Sequence, residues 1–127
     1  MANTVDFAVI ERASATTPLP EVVEYLQEHL GGAALGYLAG LSDTQMLRRW
    51  RDGASPQPIA KQRLRSAYHA TRMLVEAFDD ETAEAWFFGS NSKLDDEAPV
   101  RVLRTAQSVD DLRLIVPAAK AFTRAPE

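Results

Sequence analysis

The apolar pattern between Pro58 and Phe78 constrains this chain more than any other feature. Leu64, Ala67, Tyr68, Thr71, Leu74, Val75 and Phe78 fall on one helical face at spacings of three and four residues. Pro58 suits the start of such a helix, because a first-turn proline lacks only a donor that would have no partner anyway. A helix of this length with one apolar face must be covered. The shorter amphipathic segments on either side of it therefore predict an all-α fold built around a central helix.

Just ahead of that helix lies the stretch GAALGYLAGLSDTQMLRRWRDG, residues 32–53. Leu35, Leu38 and Ala39 share one face of a short helix, and Gly40-Leu41-Ser42 breaks it. Ser42 is placed to cap a second helix in which Met46, Leu47 and Trp50 share a face. Gly53 supplies a left-handed stop. Two helices around a glycine-containing turn have the layout of a helix-turn-helix, although an αα-hairpin buried in a core has the same pattern. Trp50 is expected to anchor the second helix. Thr44, Gln45, Arg48 and Arg49 then project outward, the first three near the helix start, which enters the major groove in this motif. Glutamine suits adenine and arginine suits guanine. Arg51, Lys61 and Arg63 are better placed for phosphates, which position a protein on DNA without reading its sequence.

Charge placement decides whether that reading is reasonable. The chain of 127 residues carries a net charge of −4, which argues against indiscriminate nucleic-acid binding. Between Arg48 and Arg72, however, seven cations stand against the single acid Asp52. That window is +6 and the remainder −10. A basic segment beside the second helix is the footprint phosphate contact requires; a solvated face paired to the acidic remainder would look the same. There is no cysteine, so disulfides, thiol catalysis and cysteine-ligated zinc are excluded and a cytoplasmic location is expected. The longest uncharged run, Leu30 to Ser42, holds four glycines and falls short of the roughly 20 apolar residues of a membrane span. No basic residue precedes the apolar ones at the N-terminus, so no secretory leader is expected.

Elsewhere the pattern varies in strength. Val5, Phe7 and Val9 alternate as in a short strand or a loose arm, and residues 13–18 look like a linker. Val22, Val23, Leu26 and Leu30 mark a helix opened by Pro20 and closed by Gly31-Gly32. Asp79-Asp80 is expected to cap a short helix with Ala83, Trp86 and Phe87 inside. Pro99 should start another through Val102 and Leu103. Ser108 with Asp111 resembles a capping box for a last helix carrying Leu112, Ile115, Val116, Ala119 and Phe122, kinked at Pro117. The organisation expected is an N-terminal arm (1–17), a helix-turn-helix domain (18–78) and a small helical domain (79–127).

Catalytic signatures are missing. His29 and His69 each stand without a second ligand at helical spacing, and no GxSxG, HExxH or phosphate-binding glycine loop occurs. Asp79-Asp80, Asp95-Asp96 and Asp110-Asp111 all fall where helices are expected to start, so capping accounts for them. No catalytic residue, metal ligand or cofactor is predicted. Recognition remains.

The run AGLSDTQMLRRWRDG, a long helix, and then AEAWFFGSNSKLDDEAPVRVLRTA resemble the antitoxin family that joins an Xre-like helix-turn-helix to an MbcA/ParS-type toxin-binding domain. The resemblance covers about residues 20–124. It implies an all-helical dimer encoded beside a toxin, often a RES-domain toxin that consumes NAD⁺, which blocks that toxin and represses its own operon at operator DNA. It also implies toxin contacts from Trp86, Asn91, Leu94, Pro99, Phe122 and Arg124. The sequence departs from the family at Asp95-Asp96, where glycine is frequent, and in a turn one residue longer before the second helix. A protein-binding inhibitor with a vestigial helix pair and a stand-alone transcriptional regulator are the competing readings.

Overall fold

The computed structural model describes residues 4–124. Among them the fold is all-α: eight α-helices and two short 3₁₀ turns, with no strand beyond a single bridge between Asn91 and Glu97. No helix of the described residues is long and apolar enough to cross a membrane.

The central helix forms as the periodicity requires. Here α5 denotes Pro58–Ala77, a 20-residue helix whose Leu64, Ala67, Tyr68, Thr71 and Leu74 are buried. It is preceded by α1 (Phe7–Thr16), α2 (Leu19–Leu30), α3 (Gly32–Ala39) and α4 (Gln45–Arg51), and followed by α6 (Asp80–Phe88), α7 (Pro99–Thr105) and α8 (Ile115–Arg124). Six of these pack directly on α5; the exception is α4, which packs on α2.

The amino-terminal expectation is corrected. Residues 7–16 are neither strand, arm nor linker but helix. Asp6 Oδ1 accepts the Val9 N–H at 3.1 Å, which starts α1. Ile10 and Ser14 turn inward while Val9 stays 46% exposed; Val5 and Phe7 are partly buried against the core, so the alternation fails at Val9. Arg65 on α5 then ties down the end of α1, donating to the Ser14 and Thr17 carbonyls at 2.9 Å each.

Three local signals at the carboxyl end also resolve differently. Asp79 does cap α6, its Oδ1 accepting the Thr82 N–H at 2.7 Å, and the Thr82 hydroxyl together with that N–H holds the carboxyl below its ordinary range. Asp95 and Asp96 start no helix: they occupy left-handed backbone at φ 57° and 65° in the turn before α7, a conformation aspartate tolerates. Ser108 makes no side-chain cap. Instead Asp111 Oδ2 accepts the Gln107 N–H at 2.9 Å, and Val109–Leu112 forms a 3₁₀ turn. Consequently α8 begins only at Ile115, and Pro117 lies in its first turn, where a missing donor breaks no helical bond.

The buried residues form one cluster running from Ile10 through Leu64, Met73 and Phe87 to Ile115. It crosses positions 17 and 78 without a gap, α7 lying against α3 and α8 against α5. The three expected segments therefore share a single core.

Two groups in that core lead to measurable expectations. Thr71 is fully buried and its hydroxyl has no hydrogen-bond partner, an arrangement costing about 1–3 kcal/mol of desolvation. Thr71→Val should raise the unfolding free energy in urea by about 1 kcal/mol; a loss of that size would show the hydroxyl to be satisfied. His69 Nδ1 lies 3.2 Å from Ser14 Oγ, and burial of the ring lowers its pKa below 6.5, against an opposing pull from Glu11 and with a smaller push from Lys120. A folded-state pKa below the unfolded one means stability is complete above about pH 6.5 and is lost as pH falls through the folded value. Urea midpoints should decline in that acid window, and His69→Gln should flatten the decline.

Candidate functional site

The first candidate surface is α4. Leu47 and Trp50, at 1% and 5% exposure, seat it on α2. Met46 does not share that buried face; it is 37% exposed, and the helix starts two residues later than a Ser42 cap implied. Asp43 Oδ1 accepts the Gln45 N–H at 2.9 Å, and α4 begins there. Thr44, Gln45, Arg48, Arg49 and Arg51 are all exposed. Among the described residues no hydrogen bond or ion pair occupies Arg48 or Arg49, whereas Arg51 Nη1 donates to Gln27 Oε1. Lys61, partly exposed, stands in the first turns of α5.

Arg63 is the clear correction on this surface. Its guanidinium turns inward, Nη1 donating to the Ala39 carbonyl at 3.3 Å and Nη2 to the Ala106 carbonyl at 2.7 Å. Burial, with the neighbouring Arg104, pushes its pKa down. It binds backbone, not phosphate. Arg72 is also committed, to the Tyr68 hydroxyl and Glu76, both at 3.0 Å. With Arg65 capping α1, four of the seven cations of the basic window remain for an outside partner: Arg48, Arg49, Arg51 and Lys61.

The turn between α3 and α4 is held from outside the pair. Gly40 adopts φ 90°, and its N–H returns to the Tyr37 carbonyl at 3.1 Å while the Leu41 N–H reaches Gly36 at 2.9 Å. The last carbonyls of a helix have no intrahelical partner. Arg104 of α7 answers two carbonyls here, Nη1 donating to Tyr37 at 2.7 Å and Leu41 at 3.2 Å, with its guanidinium carbon 4.5 Å from the centre of the Tyr37 ring. Sequence reasoning missed Arg104. Only its place in the last turn of a short helix was visible, and nothing in the spacing joined position 104 to position 41.

The second candidate surface is an open groove of about 790 Å³ between α6, the loop at 89–93 and α8. Trp86 forms part of it at 7% exposure, and Ala118, Ala121 and the 38% exposed Phe122 line the α8 side. Lys93 and Arg124 contribute its charge. Although the chain holds 18 acids, no aspartate or glutamate among the described residues lines this groove. Phe122 is braced edge-on against Phe78, ring centres 5.5 Å apart. Phe88, half exposed, adds apolar surface on the same helix as Trp86.

Of the six residues expected to meet a toxin, Trp86, Asn91, Phe122 and Arg124 line the groove. Leu94 and Pro99 do not; both are buried, Leu94 in the core and Pro99 at the start of α7, and they shape the loop from within. Asn91 has a divided role: its Oδ1 accepts the Lys93 N–H at 2.9 Å, and its carbonyl accepts from Leu94 and Asp96. Lys93, Ala118 and Ala121 were not anticipated, since the groove exists only once α8 folds back beside α6. Among the described residues no cluster of three or more His, Asp or Glu side chains is arranged to hold a metal ion.

No protein-family model matches the chain, and no curated protein matches it significantly.

The glycine turn provides a check on this geometry. A Cβ at Gly40 would stand 2.6 Å from Arg63 Nη1, while one at Gly53, at φ 110°, would meet nothing within 4 Å. Left-handed backbone costs a residue other than glycine about 1–2 kcal/mol. Gly53→Ala should lose roughly that amount in urea unfolding, and Gly40→Ala should lose more because Arg63 is displaced as well.

Proposed function

We propose that the protein is the antitoxin of a toxin–antitoxin pair, binding operator DNA through α4 and its cognate toxin through the groove between α6 and α8. The observation that supports this most directly is the state of Arg48 and Arg49. Among the described residues both are exposed and without a side-chain partner, on a helix whose opposite face is anchored by Leu47 and Trp50. An acidic protein that leaves guanidiniums unpaired on one short helix, beside Gln45, has a surface suited to phosphate and base edges. The groove, with no acid among its described lining residues, lies on other elements, so one chain can serve two partners.

The resemblance of residues 20–124 to Xre-type antitoxins supports a RES-domain, NAD⁺-consuming toxin, a homodimer matched to a two-fold operator, and action in the cytoplasm. A second reading, an inhibitor that binds its toxin but not DNA, is favoured by the internal commitment of Arg63, Arg65 and Arg72.

Two variants and one partner test the proposal. The product of the adjacent reading frame should copurify with the protein and lose its toxicity. Arg48→Ala combined with Arg49→Ala should weaken operator binding and reduce the slope of log K against log salt by about 2 where each arginine neutralises one phosphate, with neutralisation intact. Phe122→Glu should do the reverse. A wild-type protein that binds no operator DNA at about 50 mM salt leaves only the inhibitor reading; absence of a complex with the neighbour removes both.

A further inference from the structure

We infer that Arg104 is a positioning residue for α4, through which the carboxyl half of the chain sets the geometry of the DNA-reading helix; this rests on the proposed role of α4. α4 is held at its buried face and at its amino end. Its two buried residues lie against α2, and its amino end hangs from the five residues Gly40 to Thr44. Within that turn the Leu41 carbonyl receives a hydrogen bond from Arg104, and the Ser42–Thr44 segment borders the same small cleft as Arg104 and Tyr37. Gly36 allows the close approach: a Cβ there would lie 3.4 Å from Thr44 Cγ2.

Arg104 reaches this place from α7, the helix launched by Pro99 directly after the loop whose Asn91 and Lys93 line the groove. The remaining contacts of α7 end reinforce the tie. Arg63 joins the Ala106 carbonyl, just beyond α7, to the Ala39 carbonyl at the end of α3. Two guanidiniums therefore span the α3 and α7 ends. Arg63 joins the end of α3 to the end of α7, whereas Arg104 grips the part of the turn that leads into α4.

Nη1 of Arg104 holds both carbonyls while the planar guanidinium stands over the Tyr37 ring; an ammonium carries the same charge without that plane. Arg104→Lys and Arg104→Ala thus separate positioning from charge. In the full-length protein, amide exchange over residues 41–46 should quicken at least tenfold in both variants, while amides in the middle of α5 keep wild-type rates. On operator DNA both variants should lose affinity by a similar factor, about tenfold, with an unchanged salt slope, because no phosphate contact has been removed.

Rescue by Arg104→Lys, or a slope reduced by about 0.9, would make Arg104 a phosphate ligand and overturn the inference. Unchanged exchange at residues 41–46 would overturn it as well. If wild-type protein bound no DNA, the proposed function would fail instead; the exchange comparison would still decide whether Arg104 fixes the turn. Should Arg104→Ala unfold, Arg104→Lys and Tyr37→Leu, which removes the ring beneath the guanidinium, provide the same exchange readout.

Discussion

Everything in this molecule is referred to the burial of α5. A helix of 20 residues spans about 30 Å, and its apolar face is too wide for one neighbour to cover. Six helices share the task, and they come from both ends of the chain. That is why no boundary appears at residue 78. The carboxyl segment returns to α5, where Ile115 and Ala119 of α8 are fully buried.

Around this axis, arginines divide by what the backbone lacks. Helix ends expose carbonyls, and a guanidinium with five donors can satisfy several at once. Arg63, Arg65 and Arg104 do so at the ends of α1, α3 and α7. They retain their charge while losing their freedom, so a count of basic residues overstates what is available to a nucleic acid. The outward set is smaller and concentrated on α4 and the start of α5. This division links the two surfaces, since the residues spent on carbonyls also join α7 to the turn that carries α4.

The groove between α6 and α8 follows a different logic. Small residues on α8, Ala118 and Ala121, leave room beside Trp86, and among the described residues no acid joins its lining. Apolar floor and cationic rim together suit a protein partner with an apolar segment and negative charge nearby.

The sequence by itself determined the helical class, the central helix, the glycine-broken pair and the buried identity of Leu47, Trp50, Trp86 and Phe87. Each depends on spacing within one segment, and the 3.6-residue period is a local property. Its local cues misled where alternation mimicked a strand at Val5 to Val9 and where Ser108 looked like a cap, because short motifs are compatible with more than one backbone path. Tertiary structure alone decided that Arg63 faces inward while Arg48 and Arg49 meet no side-chain partner among the described residues, that Leu94 and Pro99 support the loop from inside, and that Arg104 meets the turn before α4. Those outcomes depend on which helix ends come together across 24 to 67 positions of chain, and separations of that size leave no mark in the spacing of neighbouring residues.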